Sequence, residues 1–428
     1  MTNWRSCTIS NLVDEKIIAP PMDGNHGETH PKGSDFISTG IPFVMASDIN
    51  DNAIDFSGCK YINKEQADGL RKGFSQEGDV LLSHKATIGR TAIVPKTSLP
   101  YLMLTPQVTY YRVLDKEKLD NRFLKYHFDN TTFQKTLGLW AGAGSTRAYL
   151  GITGQKNLPL QIPKIERQRE IADVLSALDK KIELNNKINT ELEAMAKLIY
   201  DYWFVQLDFP DANGKPYKFS GGKMVHNEEL KRDIPEGWEV KSLGKTVKTS
   251  LGGTPSTTNP EYWNNANIAW LNSGEVAKFP VLDSEEKITQ AGIDNSAAEL
   301  LPKGSVIISI VRHLRVSILA IDAAFNQSVV GLYETDALKN SFLYPYLSRE
   351  LSRLMLLRTG AQQPHINKGI VDASRVVIPP DNILKKYYQS VDSTFEKINV
   401  TAMESMKLKE IRDSLLPMLM NGQVRVKS

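Results

Sequence analysis

Two short runs concentrate residues able to bind a polar, negatively charged partner. "SHKATIGR" sets His84, Lys85, Thr87 and Arg90 just after the apolar "DVLL", and "VRHLR" sets Arg312, His313 and Arg315 after "SVII". Two glycine-containing stretches add to them. "GAGSTR" carries Ser145, Thr146 and Arg147, and "TGAQQPH" carries Gln362, Gln363 and His365. Glycines let such a loop bring its backbone close to a ligand. A third kind of segment is the loop holding Asn25, His26 and Lys32, matched further on by Thr254, Ser256 and Thr257. Lys and Arg neutralise phosphates, while Arg, Lys, Asn, Gln, Ser and Thr hydrogen-bond to base edges. This is the chemistry of binding. The competing reading of any single one of these residues is a solvated loop position or a local turn bond. For Arg349, Arg353 and Arg358 the sequence favours a solvated helix face.

Groups that would break or make bonds are missing. No GxxxxGK[ST] phosphate loop occurs, and "GGKMV" at Gly221 is too short for one. "APPM" and "IPPD" have the wrong neighbours for the (D/N)PP(F/Y/W) signature of amino-methyltransferases, and no dinucleotide-binding glycine fingerprint is present. The seven histidines are scattered without HxH spacing, and the one HxxxH pair, His26 and His30 in "HGETH", lies in a glycine-containing loop rather than on a helix, which argues against a metal site. "LDSEEK" reads as a charged, solvated loop. No Ser-His-Asp arrangement can be inferred from spacing. The reading is a chain that is not itself an enzyme and holds no cofactor.

Composition sets bounds on the rest. With 428 residues, the chain has room for two or three domains. A hydrophobic share of 41% and a charged share of 24% are those of a soluble globular protein. No apolar run approaches the roughly 18 residues of a membrane span. The start, "MTNWRSCTISNLVDEK", has no apolar signal core, so the expected location is the cytoplasm. Cys7 and Cys59 are too few and too far apart for a disulfide framework. The net charge is only +3, so any nucleic-acid contact has to come from local patches.

The elements that position these loops repeat. Gly144 matches Gly360 and Pro163 matches Pro379, an offset of 216 residues in each case. The same offset relates Ile182 to Ile398 and Leu192 to Leu408. Upstream, with small gaps, "GDVLLSHKATIGRTAIV" resembles "GSVIISIVRHLRVSILA", "NRFLKYHF" resembles "NSFLYPYL", and "IPFVMASDI" resembles "IAWLNSGEV". The chain is read as a tandem duplication. Each copy runs from short β-type segments through a helix and a glycine-containing loop to a final long helix.

The first long helix, "IADVLSALDKKIELNNKINTELEAMAKLIYDYWF", carries a heptad-like seam. It passes through Ile171, Leu175, Leu178, Ile182, Asn185, Asn189, Leu192, Ala196, Ile199 and Trp203. At ~1.5 Å per residue the rod would be about 50 Å long, and its stripe needs a partner. The 216-residue offset supplies one, with Tyr387, Val391, Thr394, Ile398, Thr401, Ser405, Leu408, Arg412, Leu415 and Leu419. An antiparallel register that pairs Asn185 with Ser405 and Asn189 with Thr401 also pairs Ile182 with Leu408 and Leu192 with Ile398. In that register Leu178 meets Arg412, an imperfect pair. The polar positions are expected to fix the register. Pro417 is expected to end or kink the second helix early. Tyr200, Tyr202, Trp203 and Phe204 are expected to dock on the other helix or on a partner rather than stack on bases.

The stretch from "LPLQIPKIERQREIADVLSALDKK" to "YDYWFVQLDFP" resembles the central conserved region of type I restriction–modification specificity subunits. "GGTPSTTNPEYWNNANIAWLNSGEV" and "MDGNHGETHPKGSDFISTGIPFVMASDI" resemble the openings of their target-recognition domains, and "LKEIRDSLLPMLMNGQV" their terminal segment. The resemblance spans nearly the whole chain. It implies an α+β, pseudo-twofold protein: a recognition domain at 1–165, a central helix at 166–209, a linker at 210–235, a second recognition domain at 236–380 and a C-terminal helix at 381–428. The helices would form an antiparallel, coiled-coil-like spacer. It further implies that each domain reads half of a split site on double-stranded DNA, and that the chain docks two methyltransferase subunits and restriction motor-nuclease subunits. S-adenosylmethionine, ATP and magnesium would serve those partners. The polar loop residues named above then become candidate DNA contacts. The competing class is a pseudo-symmetric scaffold that binds only protein.

Overall fold

The computed structural model of the chain describes residues 4–26, 30–142, 148–360, 362 and 364–426. They form two compact units, one of residues 1–181 with 408–428, the other of residues 182–407. Each unit thus holds one globular domain together with stretches of both long helices.

Within the first unit, one sheet has the order Met22–Asp23, Val108–Tyr111, Val80–Ser83, Thr91–Ile93. The second unit repeats that order with Thr249–Leu251, Val329–Leu332, Val306–Ser309 and Arg315–Ile318. A second sheet in each unit contains one parallel pair. Leu102–Leu104 lies beside Ile41–Val44 in the first unit, and Ala323–Phe325 beside Ile268–Leu271 in the second. The strands Val80–Ser83 and Val306–Ser309 are buried along their whole length, which explains why they read as continuous apolar runs rather than alternating ones.

Each domain closes on itself before its helix begins. Arg5–Thr8 pairs antiparallel with Pro159–Ile162, and Glu239–Ser242 pairs antiparallel with Arg375–Ile378. The long helices follow at once, Ile165–Tyr200 and Asp381–Met420. Every seam position on both helices is buried or half-buried. In the first unit Ile171 and Leu175 join Phe123, Leu124, Leu416 and Leu419 in one core. In the second, Ala196, Tyr200, Trp203 and Phe204 join Tyr387, Val391 and Phe395.

Three features differ from the sequence expectations. The C-terminal helix does not stop at Pro417 but runs on to Met420. Pro417 lies so near the end that its missing N–H and ring clash affect only one turn, and Leu416, Leu419 and Met420 hold that turn in the core. The second part of the segment expected as a linker, 210–235, is a folded hairpin, with Met224–Asn227 paired to Arg232–Pro235. Its anchors, Leu207, Phe209, Ile234 and Trp238, are buried but too irregularly spaced to show a period. Arg358 lies beyond its helix, which ends at Leu356.

The aromatic end of the central helix is a π-helical turn, Asp201–Val205. Phe204 meets Tyr387 with ring centroids 4.7 Å apart, and Tyr200 meets Phe342 at 5.3 Å. Edge contacts of this kind are favoured between aromatic rings. The cluster therefore docks on the start of the C-terminal helix, and Tyr202 alone of the four is exposed.

Candidate nucleic-acid interface

Each unit builds the same loop pair on equivalent strands. In the first unit the strand Val80–Ser83 turns through residues 84–90 into Thr91–Ile93. The Ser83 hydroxyl accepts from the Arg90 N–H at 2.8 Å and closes the turn. In the second unit the Ser309 hydroxyl accepts from the Arg315 N–H at 2.9 Å and closes the 310–314 turn. Beside each turn lies the chain that follows the domain's helix. Leu150 N–H donates to the His84 carbonyl at 3.1 Å, and Ile366 N–H donates to the Ile310 carbonyl at 2.9 Å. In the second unit two kinds of segment singled out in the sequence, far apart along the chain, are therefore neighbours, and in the first unit the residues from Ala148 to Leu150 lie beside the equivalent turn.

The side chains on these loops are not alike. Lys85 and Thr87 are exposed, and the Lys85 ammonium lies 5.9 Å from the centre of the Tyr149 ring. His84, by contrast, is fully buried at 0% exposure. Burial pushes its imidazole down to about 4, against a smaller opposing pull from Asp23. Arg90 turns inward. One guanidinium nitrogen donates to the Ile49 carbonyl at 3.0 Å and to the Asn50 side-chain oxygen at 2.7 Å, with the Ala46 and Ser47 carbonyls at 3.3 Å. It braces the 46–50 segment.

Arg312, His313 and Arg315 in the second unit are all exposed. Arg312 has a positive φ of 55°, and its backbone is held from both sides. Its N–H donates to the Pro364 carbonyl at 2.8 Å, and its carbonyl accepts from the Arg358 guanidinium at 2.7 Å. Arg358 thus braces this turn rather than lying on a solvated helix face. Gln362 is exposed. Ser145, Thr146, Arg147 and Gln363 lie outside the described residues.

The N-terminal loops are less open than their composition suggests. Asn25 is buried, and the His26 ring is 2.9 Å from the Asp23 carboxylate. Thr254 donates to Gln327 at 2.6 Å, and the Ser256 and Thr258 hydroxyls bond to each other at 2.9 Å. Lys32 and Thr257 face solvent.

The polar centre of the helix pair falls within the second unit. The Thr401 hydroxyl bonds to the Asn189 side-chain oxygen, and the Asn189 amide donates to the Ile398 carbonyl at 3.3 Å. The Asn185 amide donates to Glu404 at 2.8 Å. Ser405, one residue on, is buried with its hydroxyl unpartnered, as is the side-chain amide oxygen of Asn185. A carboxylate makes the stronger bond to an amide N–H than a hydroxyl does, and Glu404 is long enough to reach it. Among the described residues no cluster of His, Cys, Asp or Glu is placed to hold a metal ion, and no helix is long and apolar enough to cross a membrane.

Two internally similar α+β domains, each followed by a long helix and each presenting a differently furnished loop pair, define a modular recognition protein. Residues 6–194 and 235–410 both match the type I restriction modification DNA specificity domain. The chain belongs to the family of type I restriction–modification specificity subunits. Such subunits are non-catalytic and bind DNA on behalf of their systems. Among its relatives, the MjaIX specificity subunit of Methanocaldococcus jannaschii is 29% identical over 82% of this chain and 78% of its own length. The HindI specificity subunit of Haemophilus influenzae is 23% identical over 99% of this chain and 100% of its own. The crystal structure of the type I S subunit from M. genitalium has the same fold. Its TM-score is 0.56 at 15% identity, over 98% of this chain and 96% of that one.

Proposed function

We propose that each recognition domain reads one half of a split double-stranded DNA target, and that the two long helices serve as the antiparallel spacer between the half-sites. The observation that carries this reading is the repeated loop pair with unlike side chains. The first turn exposes Lys85 and Thr87 and turns Arg90 inward, while the second exposes Arg312, His313 and Arg315, the counterpart of Arg90. Equivalent frames with different hydrogen-bonding groups are what two different half-sites require, because base edges differ in their donor and acceptor pattern. The lysines and arginines supply the salt-dependent phosphate term.

In this reading the chain acts in the cytoplasm, where it docks two methyltransferase subunits and the restriction motor-nuclease subunits. S-adenosylmethionine serves the first, and ATP with magnesium serves the second. The polar layer of Asn185, Asn189, Thr401 and Ser405 sets how the helices line up. Mapping N6-methyladenine in DNA from cells that express the chain with its methyltransferase partner tests the proposal. A motif split by a fixed unspecified gap is the expected result. A continuous motif, or none, would overturn it.

A further inference from the structure

His84 and Ile310 occupy the same backbone position in the two units. The His84 N–H donates to the Gln107 carbonyl at 2.9 Å, and the Ile310 N–H donates to the Ser328 carbonyl at 2.9 Å. Their carbonyls accept from Leu150 and Ile366 in the same way. The bridge between Lys85 and Tyr149 is likewise repeated by Val311 and His365. An apolar side chain fills this position well, since Ile310 packs in the core with Leu314 and Ile366.

His84 is nevertheless polar and wholly buried, and neither ring nitrogen makes an aligned hydrogen bond. Thr109 repeats the pattern. It stands opposite Leu82, where Val330 stands opposite Ile308, and its buried hydroxyl is also unpartnered. The fold tolerates hydrocarbon at both places, and unpaired buried polar groups weaken it. Their presence therefore calls for a role outside folding.

We infer that His84 is a specificity-determining residue of the first unit, whose free ring nitrogen accepts a hydrogen bond from a base of the bound half-site. The inference rests on the DNA-reading role proposed above. Two partly exposed side chains are linked to the imidazole through one ring. The Tyr149 ring centre is 5.6 Å from that of His84, and Tyr149 is itself 48% exposed. Lys85 leans on the same Tyr149 ring. A phosphate that draws Lys85 outward frees Tyr149 to swing aside, with no change in the sheet. The chemistry then selects the base. The neutral ring offers an acceptor on whichever nitrogen carries no proton. In the major groove an acceptor suits an exocyclic amino group, that of adenine or cytosine. Burial keeps the ring neutral at physiological pH, so the acceptor persists.

The test is selection of bound duplexes from a pool randomised in both half-sites, by the full chain in its complex with the methyltransferase subunits. The variant His84→Ile installs the residue of the other unit. It is expected to keep the wild-type thermal midpoint, to lose about tenfold of its preference at one base pair of one half-site, and to leave the other half-site unchanged. His84→Asn, which keeps an acceptor on a shorter arm, covers the case in which the isoleucine variant fails to fold. It is expected to shift the preference at that same base pair. A bipartite wild-type motif that either folded variant reproduces unchanged would overturn the role of His84 alone. A wild-type chain that selects no bipartite motif would overturn the DNA reading and this inference together.

Discussion

The Arg412 guanidinium donates to the Asp179 carboxylate at 2.9 Å, at a place on the C-terminal helix where an apolar seam would hold a hydrocarbon. Asp179 also accepts from the Tyr126 hydroxyl at 2.6 Å, and the Lys125 ammonium lies 3.5 Å away. Lys125 is itself almost fully buried and sits 2.8 Å from Asp129. The pairing of Leu178 with Arg412, imperfect in the sequence, is thus relieved by the neighbouring residue. The charge has a partner rather than a leucine.

Removing one member of such a network leaves the others uncompensated. Asp179→Ala is expected to lower stability by about 3 kcal/mol, read from the midpoint of chemical denaturation. A loss below about 1 kcal/mol would place the pair among exposed ones that contribute little.

The same carboxylate predicts a pH dependence. Burial alone would raise the pKa of Asp179, but the charge of Lys125 and the bonds from Tyr126 and Arg412 outweigh it and hold the group below its ordinary value. A carboxyl with a depressed folded pKa adds stability that is complete above its unfolded pKa of about 4 and is lost as pH falls further. Wild-type denaturation midpoints should therefore drop faster below about pH 4 than those of Asp179→Asn. Parallel curves would remove Asp179 from the acid response.

The polar layer separates stability from alignment. The side-chain amide oxygen of Asn185 is buried without a partner, so Asn185→Leu is expected to stabilise the fold by about 1 kcal/mol. Cysteines at 189 and 401 should crosslink in the native background. In the leucine variant, crosslinks one heptad away should rise as the register loosens. An unchanged crosslinking pattern would assign register to the rest of the seam.

Arg90 and Arg315 should respond in opposite ways to truncation. Arg90→Ala removes the brace from the Ala46, Ser47 and Ile49 carbonyls and is expected to cost about 1–3 kcal/mol of stability. Arg315→Ala should leave the thermal midpoint in place and weaken specific binding in one half-site only, by about tenfold. Equal loss in both half-sites, or none, would count against Arg315 as a base-reading residue.

Much of this protein was legible as pattern. The 216-residue offset, the seam from Ile171 to Trp203 and the paired polar loops are properties of short runs or constant spacings, and they survive without any knowledge of neighbours. The duplication was readable because equivalent strands are buried alike and so keep alike residues. Partner choice was not readable, because it depends on which distant segments fall opposite one another. Nothing in "SHKATIGR" separates an exposed Lys85 from a buried His84 or an inward-turned Arg90. The difference arises where Leu150 and the 46–50 segment close over the turn. Asn185 met Glu404 instead of Ser405, and the second part of the segment expected as a linker folded as a hairpin, for the same reason. A side chain's role in this molecule follows from what lies across from it, and only the tertiary structure brings those residues together.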